Sequence, residues 1–244
     1  MSIQELSIIY ESAKLIAINK PHGLLVHRTK LAADAKEFAI QLLREQIGQR
    51  VYPAHRLDRK TSGALLFTKT SESNKQIQAL FRERKVKKVY RALVRGFVLE
   101  NGIIDYPLSD DTKTQTAITH YFPLKQFEIP LPFGKFPTSR YTLIELKPET
   151  GRFHQLRKHM AHFRHPIIGD RPHGCNKQNK LWKERFGMTK MLLHAHSLAF
   201  TWPHDKSHYI VADPSPTFLK TLQFLENANI HDNDKPTGIK ILDE

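Results

Sequence analysis

An aspartate between two arginines is the part of the chain best suited to chemistry. Asp58 lies in the segment HRLDRKTSG (residues 55–63), with Arg56 two positions before it and Arg59 directly after it. Nearby positive charge favours the carboxylate form, so we expect Asp58 to be ionised. The Thr-Ser-Gly sequence that follows is typical of a tight turn, and the apolar run ALLF (64–67) predicts a strand. The pattern indicates that a turn presents an ionised carboxylate at the end of a strand, where it could take part in chemistry.

A strongly basic stretch follows the Asp58 segment. Residues 81–95 contain seven lysines and arginines against one acid, among them Arg84, Lys85 and Lys88. A basic helix end that continues into a strand favours contact with an RNA backbone, and a merely solvated charged face is the alternative. Tyr90 alternates with apolar residues in this strand, so it is either a core tyrosine or an aromatic that stacks on a nucleobase.

A second dense polar segment is ETGRFHQLRKH (residues 149–159). It predicts a turn that opens into a helix bearing Arg152, His154, Gln155 and Arg157. A helix start with arginines suits an anion, either a phosphate or a carboxylate from elsewhere in the chain. Asp58 is the natural candidate for that carboxylate, and Arg157 or Arg152 would then hold it in place.

The fourteen histidines raise the question of a metal. His159 and His162 share a helix face, but neither a cysteine cluster nor an HExxH pair accompanies them, so we expect no metal. Ser62 lacks the Gly-x-Ser-x-Gly elbow of a serine hydrolase. No Walker loop and no Gly-x-Gly-x-x-Gly sequence occurs, so we expect no nucleotide cofactor. A metal-dependent nuclease built on the histidines remains the alternative enzyme class.

The charge of the chain points to a polyanionic partner. Among 244 residues, 38 Lys and Arg face 24 Asp and Glu, which gives a formal net charge of +14. Binding of RNA or DNA is favoured, because neutralised phosphates release counterions; a charge that only aids solubility is the alternative. The single cysteine, Cys175, and the absence of a signal-like or membrane-spanning apolar run predict a cytoplasmic protein that does not enter a membrane.

Hydrophobic periodicity predicts an α+β fold. Short strands predominate, at 6–10, 15–19, 65–68, 88–98, 116–122, 141–146 and 191–200, and the helices do not alternate regularly with them. We expect one domain over residues 1–244 with a mixed or antiparallel sheet, a loop or hairpin at 127–137 and a polar, poorly ordered tail from 227 to 244. Predicted helix starts are Asp34, Thr70 or Ser71, and Ser215-Pro216, and Gly48 ends the first helix.

Several motifs in one order give the chain a family resemblance. HRLD-x-x-TSG at residues 55–63 resembles the signature of the RluA family of RNA pseudouridine synthases. Family-like pieces elsewhere are Lys20-Pro21-x-Gly23, Lys88-x-Tyr90-x-Ala92, TGR-x-HQLR-x-H (150–159), HPIIGD (165–170) and Leu193-His194-Ala195. They span the chain from about Leu6 to Phe200. The resemblance implies the α+β core of that family, with a mixed, largely antiparallel sheet, flanking helices and an RNA-binding cleft.

The resemblance also implies a reaction and roles for residues. Family members detach a uracil from its ribose within RNA, turn it and rejoin it through carbon, with no metal or organic cofactor. By motif match Asp58 is the catalytic aspartate, and Arg157 pairs with Asp58. Tyr90 matches the tyrosine that packs against the flipped base, with proton removal as a further role that the resemblance implies. Arg56 fills the stack that the uridine leaves.

Further residues are expected to contact RNA, and the resemblance narrows the substrate. The remaining RNA-contacting residues would be Arg59, Arg84, Lys85, Lys88, Arg152, His154 and Gln155. The chain is most similar to members that modify uridine 65 of tRNA, and we expect a monomer without an N-terminal S4 domain. The same chemistry on ribosomal RNA, and a catalytically silent RNA-binding module, are the alternatives.

Overall fold

The computed structural model describes residues 5–28, 37–109, 112–204 and 206–230. The chain forms two compact units. Unit 1 consists of Met1–Tyr90 and His194–Pro214, and unit 2 consists of Arg91–Leu193 and Ser215–Glu244. The chain therefore leaves unit 1 after Tyr90 and returns to it at His194. That the two units fold as a single domain stays a prediction.

Strands and helices are distributed over both units. The strands are β1 (Ile8–Glu11), β2 (Leu15–Lys20), β3 (Tyr52–Pro53), β4 (Ser62–Thr68), β5 (Lys87–Arg95), β6 (Gly102–Asp105), β7 (Leu108–Ser109), β8 (Thr114–Gln115), β9 (Ile118–Ile129), β10 (Ser139–Pro148), β11 (Leu193–Thr201) and β12 (Ser207–Val211). The helices are α1 (Ala39–Ile47), α2 (Ser71–Arg82), α3 (Gln155–His162), α4 (Asn176–Phe186) and α5 (Pro216–Ala228).

Unit 1 is a mixed sheet covered on both faces. Strand β2 pairs antiparallel with β1 and β4, β4 pairs parallel with β11, and β11 pairs antiparallel with β12. Every residue of β4 is buried, as expected for a central strand. Alternate residues of β2 face opposite sides: Ile16 and Ile18 pack with α1, and Leu15 and Ala17 pack with α2.

Unit 2 is built on long antiparallel strands. Strand β9 pairs with β10 on one side and β6 on the other. Helices α4 and α5 pack on these strands through a core that contains Trp182, Phe186, Phe224 and Tyr141. The α+β class with a mixed, mostly antiparallel sheet is confirmed.

Local signals placed most helix ends correctly. The Thr70 hydroxyl accepts from the Ser73 amide at the start of α2, and the Ser215 hydroxyl accepts from the Phe218 amide at the start of α5. Gly48 ends α1 with φ of 62°. The expected cap Asp34 lies outside the described residues, and the described helix α1 begins at Ala39.

Four expectations were wrong or incomplete. The predicted loop or hairpin at 127–137 is the connection between the antiparallel strands β9 and β10, but it starts later than expected, because β9 runs to Ile129 and pairs with Ser139. Helix α4 was not predicted, because it buries only about one residue per turn, Gln178, Trp182 and Phe186. Strand β12 was missed because exposed and buried residues alternate over only five positions. The predicted tail at 227–244 was wrong at its start, because residues 227 and 228 belong to α5. Residues 231–244 of it lie outside the described residues.

Within the described part of the chain, no helix is long and apolar enough to cross a membrane.

Candidate active site

The Asp58 loop joins β3 to β4 and is fixed by hydrogen bonds from an earlier turn. The Arg59 carbonyl accepts from the Gly23 amide at 2.8 Å and from Lys20 Nζ at 3.2 Å. Arg59 Nε donates in return to the Gly23 carbonyl at 3.1 Å. The Thr61 amide donates to the Asp58 carbonyl at 3.1 Å, which closes the turn. The end of β2 and the turn after it therefore fix the backbone next to Asp58.

Strand β4 begins earlier than the sequence indicated. Ser62 and Gly63 are strand residues, paired with His194 and Ala195 of β11, and the turn precedes them. Gly63 has φ of 110°, and a Cβ at this position would overlap the Ala195 carbonyl. Glycine is favoured here for two reasons: its φ is one that other residues rarely adopt, and the two strands approach too closely for a Cβ.

Lys20 is a buried lysine beside the Asp58 loop, and its place near Asp58 was not predicted. Its side chain is 0% exposed. Nζ donates to the carbonyls of Pro21, Leu24 and Arg59 at 3.0, 2.8 and 3.2 Å. Burial lowers the pKa of Lys20 to about 7, and the negative charge of Asp58 opposes part of that shift. The negative charge of Asp58 therefore acts on the Lys20 ammonium group.

Tyr90 is coupled to the same carboxylate. Its ring packs against the unit 1 core cluster that contains Leu57 and Ala195. Burial raises the pKa of the Tyr90 hydroxyl, and the charge of Asp58 raises it further. Unit 1 therefore brings Asp58 and Tyr90 together, as the family resemblance implies, and keeps Tyr90 as a neutral phenol near neutral pH.

The predicted RNA-contacting residues of unit 1 are mostly at its surface. Arg56, Arg59, Arg84 and Lys85 are exposed, and Lys88 is half-buried. Burial and the nearby Arg84 lower the pKa of Lys88 to about 8. Lys85 forms an exposed ion pair with Glu83 at 2.7 Å.

Arg84 occupies a backbone conformation that glycine usually takes. Its φ is 58°, directly after the end of α2. The amides of Arg84 and Lys85 donate to the carbonyls of Phe81 and Leu80, which closes the helix end. An arginine at this position is strained, and its side chain is displayed at the surface.

His55, the first residue of the Asp58 motif, has a structural environment of its own. The Leu66 amide donates to His55 Nε2 at 3.1 Å, and the ring stacks on Phe81 with 4.9 Å between centroids. Burial, together with the charge of Lys88, lowers the pKa of His55 to about 4. His55 is therefore neutral at neutral pH, with Nε2 acting as an acceptor.

In unit 2, Arg157 forms a buried ion pair with Asp170. Arg157 Nε and Nη2 lie 2.8 and 2.7 Å from Oδ2 and Oδ1 of Asp170. The two side chains are 4% and 1% exposed. Asp170 ends the HPIIGD motif, and its pairing with Arg157 was not predicted. The pairing of Arg157 with Asp58 stays a prediction.

Gln155 is committed to internal hydrogen bonds. Its Oε1 accepts from the Thr150 hydroxyl and the Arg152 amide, and its Nε2 donates to the Ile118 carbonyl and the Thr119 hydroxyl, all at 2.7–3.0 Å. The side chain is 4% exposed. This geometry does not support the predicted RNA contact and assigns Gln155 to holding the start of α3 on β9.

The other two polar residues of this segment are half-buried and remain partly accessible. Arg152 Nε donates to the Thr116 carbonyl at 3.0 Å. His154 precedes α3 with φ of 56°, stacks on the exposed Phe153 ring at 3.7 Å, and places Nδ1 2.9 Å from His173 Nε2. The stacked Phe153–His154 pair was not foreseen, because it depends on the left-handed backbone at His154.

The histidines considered as metal ligands have other partners. His159 Nδ1 lies 2.9 Å from the Thr119 hydroxyl, and its Nε2 lies 3.0 Å from the Tyr106 carbonyl. His162 stacks on Tyr106. Among the described residues, no group of three or more His, Cys, Asp or Glu side chains is arranged to hold a metal ion.

The motifs and the fold define a class of RNA-modifying isomerase. Residues 14–162 match the sequence profile of the RNA pseudouridylate synthase family, and the chain belongs to this family. The resemblance to its RluA branch is confirmed.

Relatives extend the match over most of the chain. A tRNA pseudouridine synthase C of Vibrio parahaemolyticus is 46% identical over 223 residues, which cover 86% of this chain and 91% of the relative. A tRNA pseudouridine synthase C of Salmonella typhi is 41% identical over 244 residues, with 94% of each chain covered.

Solved structures share the fold. Human RNA pseudouridylate synthase domain containing 4 superposes with a TM-score of 0.68 at 25% identity, covering 90% of this chain and 93% of that one. Human RNA pseudouridylate synthase domain containing 1 gives 0.69 at 23% identity, covering 97% and 99%.

Proposed function

We propose that the chain converts a uridine of tRNA to pseudouridine, with Asp58 as the reacting group. The relatives of 41–46% identity that carry the name tRNA pseudouridine synthase C support tRNA as the substrate. Uridine 65 is the position that the resemblance implies. The observation that carries the proposal is the Asp58 loop of unit 1, which Lys20 and Gly23 fix through the Arg59 carbonyl. The charge of Asp58 also acts on the pKa values of Lys20 and Tyr90 in the same unit. Perturbed titration around one carboxylate is typical of a catalytic site.

The reaction is an isomerisation that needs one well-placed acid. The N1–C1′ bond of uridine breaks and a C5–C1′ bond forms, while the C5 hydrogen leaves and N1 gains a proton. Asp58 takes part as the carboxylate, either by attacking the sugar or by removing a sugar proton. Both routes require the loop held by Lys20 and Gly23 to keep Asp58 at one position.

Tyr90 acts as a neutral phenol in this scheme. Because its pKa is raised by burial and by Asp58, it is a poor base near neutral pH. Its role is then to pack its ring against the flipped uracil and to donate a hydrogen bond. Tyr90→Leu removes the ring and should weaken positioning of the base. Tyr90→Phe keeps the ring and removes only the hydroxyl, so it measures the contribution of the hydrogen bond.

The basic surface of unit 1 supports RNA binding. Arg56, Arg84 and Lys85 are exposed, and the chain carries a net charge of +14. Such side chains contact phosphates and give binding that weakens with salt. Arg56 is proposed to occupy the stack when the uridine flips, which offsets part of the few kcal/mol that flipping costs. In unit 2, Arg152 and His154 are proposed to contact RNA, and Gln155 is not.

The test is hydrogen release from labelled RNA. tRNA with tritium at C5 of its uridines is incubated with the wild-type protein and with Asp58→Asn, and tRNA with cytidine in place of uridine 65 is the matched control. We expect release by the wild type only, and none from the control RNA. Asp58→Asn should bind tRNA with nearly unchanged affinity, because the substitution removes charge from a loop and not from the basic surface. Full release by Asp58→Asn would contradict the assignment.

The same experiment separates the alternatives. Release from ribosomal RNA but not tRNA would establish the other substrate. Salt-sensitive tRNA binding without release from either RNA would indicate a silent binding module. We also propose a monomeric, cytoplasmic enzyme, which sedimentation of the purified protein and cell fractionation would test.

A further inference from the structure

A buried hydrogen-bond chain joins Ser62, His194 and Ala212 within unit 1. His194 Nδ1 lies 2.9 Å from the Ser62 hydroxyl oxygen, and its Nε2 lies 3.0 Å from the Ala212 carbonyl oxygen. His194 is 0% exposed and Ser62 is 6% exposed. These two hydrogen bonds therefore link β4, β11 and the segment after β12, and they are buried away from bulk water.

The direction of each hydrogen bond follows from the chemistry of the groups. A carbonyl oxygen can only accept, so Nε2 of His194 carries a hydrogen. In the neutral imidazole Nδ1 is then the acceptor, and the Ser62 hydroxyl must donate to it. The tautomer of His194 thus determines the orientation of the Ser62 side chain.

Ser62 marks the end of the loop that carries Asp58. The turn closed by the Thr61 amide on the Asp58 carbonyl leads directly into Ser62, which pairs with His194 along β11. Earlier in the loop, the Arg59 carbonyl is fixed by Lys20 and Gly23. The residues that follow Asp58 are therefore held at two points, and the second of them is the Ser62–His194 hydrogen bond.

We propose that His194 is a positioning residue for Asp58, acting through Ser62. The proposal rests on the proposed function, in which Asp58 is the reacting group. By accepting the Ser62 hydrogen bond, Nδ1 fixes the first residue of β4 and with it the placement of the Asp58 carboxylate. Misplacement of a reacting group by about 1 Å can cost on the order of 100-fold in rate.

Two amide substitutions of His194 distinguish the role of Nδ1 from the role of Nε2. In His194→Asn the amide oxygen of the shorter side chain reaches the place of Nδ1 and can still accept from Ser62, but the Ala212 contact is lost. In His194→Gln the amide nitrogen of the longer side chain reaches the place of Nε2 and keeps the Ala212 contact, but Ser62 is left without its acceptor. Ser62→Ala removes the donor by deleting one oxygen atom. Single-turnover hydrogen release, tRNA affinity and thermal unfolding are measured for each.

We expect His194→Gln and Ser62→Ala to lower the single-turnover rate at least about 10-fold with unchanged tRNA affinity. Their double variant should be no slower than either single variant, because both remove the same hydrogen bond. His194→Asn should recover most of the rate lost in His194→Gln, although it loses the bond to Ala212. A purely structural role would instead make the rates follow the thermal midpoints of the variants.

Three results would overturn the inference: a wild-type rate for Ser62→Ala, an equal rate for the two His194 variants, or multiplicative losses in the double variant. If the His194 variants do not fold, Ser62→Ala alone decides. Asp58→Asn is assayed in parallel. Activity in Asp58→Asn would contradict the proposed function, whereas an inactive Asp58→Asn with a fully active Ser62→Ala would contradict only the positioning role.

Discussion

Arg157 and Asp170 form a two-bonded ion pair that is almost completely removed from water, with 4% and 1% of their side chains exposed. The family resemblance implies a catalytic role for Arg157, and the fold provides a carboxylate thirteen residues later that binds its guanidinium. A planar guanidinium held by two parallel hydrogen bonds cannot rotate freely. The orientation of Arg157 is thus set within unit 2 before RNA arrives.

Removal of the Asp170 carboxylate should destabilise the protein strongly. Asp170→Asn removes the carboxylate charge from the buried Arg157–Asp170 pair, and breaking a buried pair in this way typically costs about 3–5 kcal/mol. Urea unfolding should show this loss, with hydrogen-release activity falling as well. The matched control is Glu226→Gln, which breaks the exposed Lys125–Glu226 pair of the same unit and should cost at most about 1 kcal/mol. A similar decrease in the free energy of unfolding for both variants would show that the buried pair stabilises the protein no more than the exposed pair.

Lys20 should make stability rise with pH in the alkaline range. The pKa of Lys20 is about 7 in the folded protein, whereas a lysine in an unfolded chain has the ordinary value of 10.5. Between these values the unfolded chain binds more protons, so the free energy of unfolding increases as pH rises, by a total of about 5 kcal/mol. Denaturant unfolding at pH 7.5 and 9.5 measures this slope. Lys20→Met should flatten it, whereas Lys75→Met, which removes an exposed lysine of α2, is the control for loss of one charge.

His55 should contribute a loss of stability in acid. Its pKa is about 4 when folded, against the ordinary 6.5, because burial disfavours the imidazolium. The unfolded chain takes up the proton first, so stability falls as pH decreases from 6.5 to 4, by about 3 kcal/mol. His55→Gln keeps an acceptor for the Leu66 amide but does not titrate. Unfolding curves at pH 7 and 4.5 should therefore differ less in the variant than in the wild type, and an equal difference would contradict this role.

Arg84→Gly should separate RNA binding from stability. Glycine relieves the left-handed backbone at residue 84, so the thermal midpoint should stay the same or rise. Loss of the cation should weaken tRNA binding and lower the slope of log affinity against log salt by up to about 0.9. Arg82→Gly is the matched control: Arg82 lies in α2, where glycine should destabilise by about 1 kcal/mol or less. Unchanged tRNA binding by Arg84→Gly would contradict the proposed contact between Arg84 and RNA.

Local features of the fold could be predicted from the sequence because their causes lie a few residues apart. The caps at Thr70 and Ser215 and the stop at Gly48 each depend on hydrogen bonds or backbone angles within one helical turn. The weakly patterned helix α4 escaped prediction, because its helical state depends on packing of Trp182 and Phe186 against distant residues of unit 2.

The sequence by itself determined the family, the position of Asp58 and the basic composition that suits RNA, since these reside in residue types and their order. Only the tertiary structure decided the partners: Asp170 for Arg157, the Arg59 carbonyl for Lys20, and Ser62 for His194, which lies 132 residues away in the chain. It also placed the Gln155 side chain in hydrogen bonds to Thr150 and Thr119 inside unit 2. Hydrogen-bond partners of buried polar groups follow from strand pairing and burial, which bring together residues whose spacing in the sequence carries no signal.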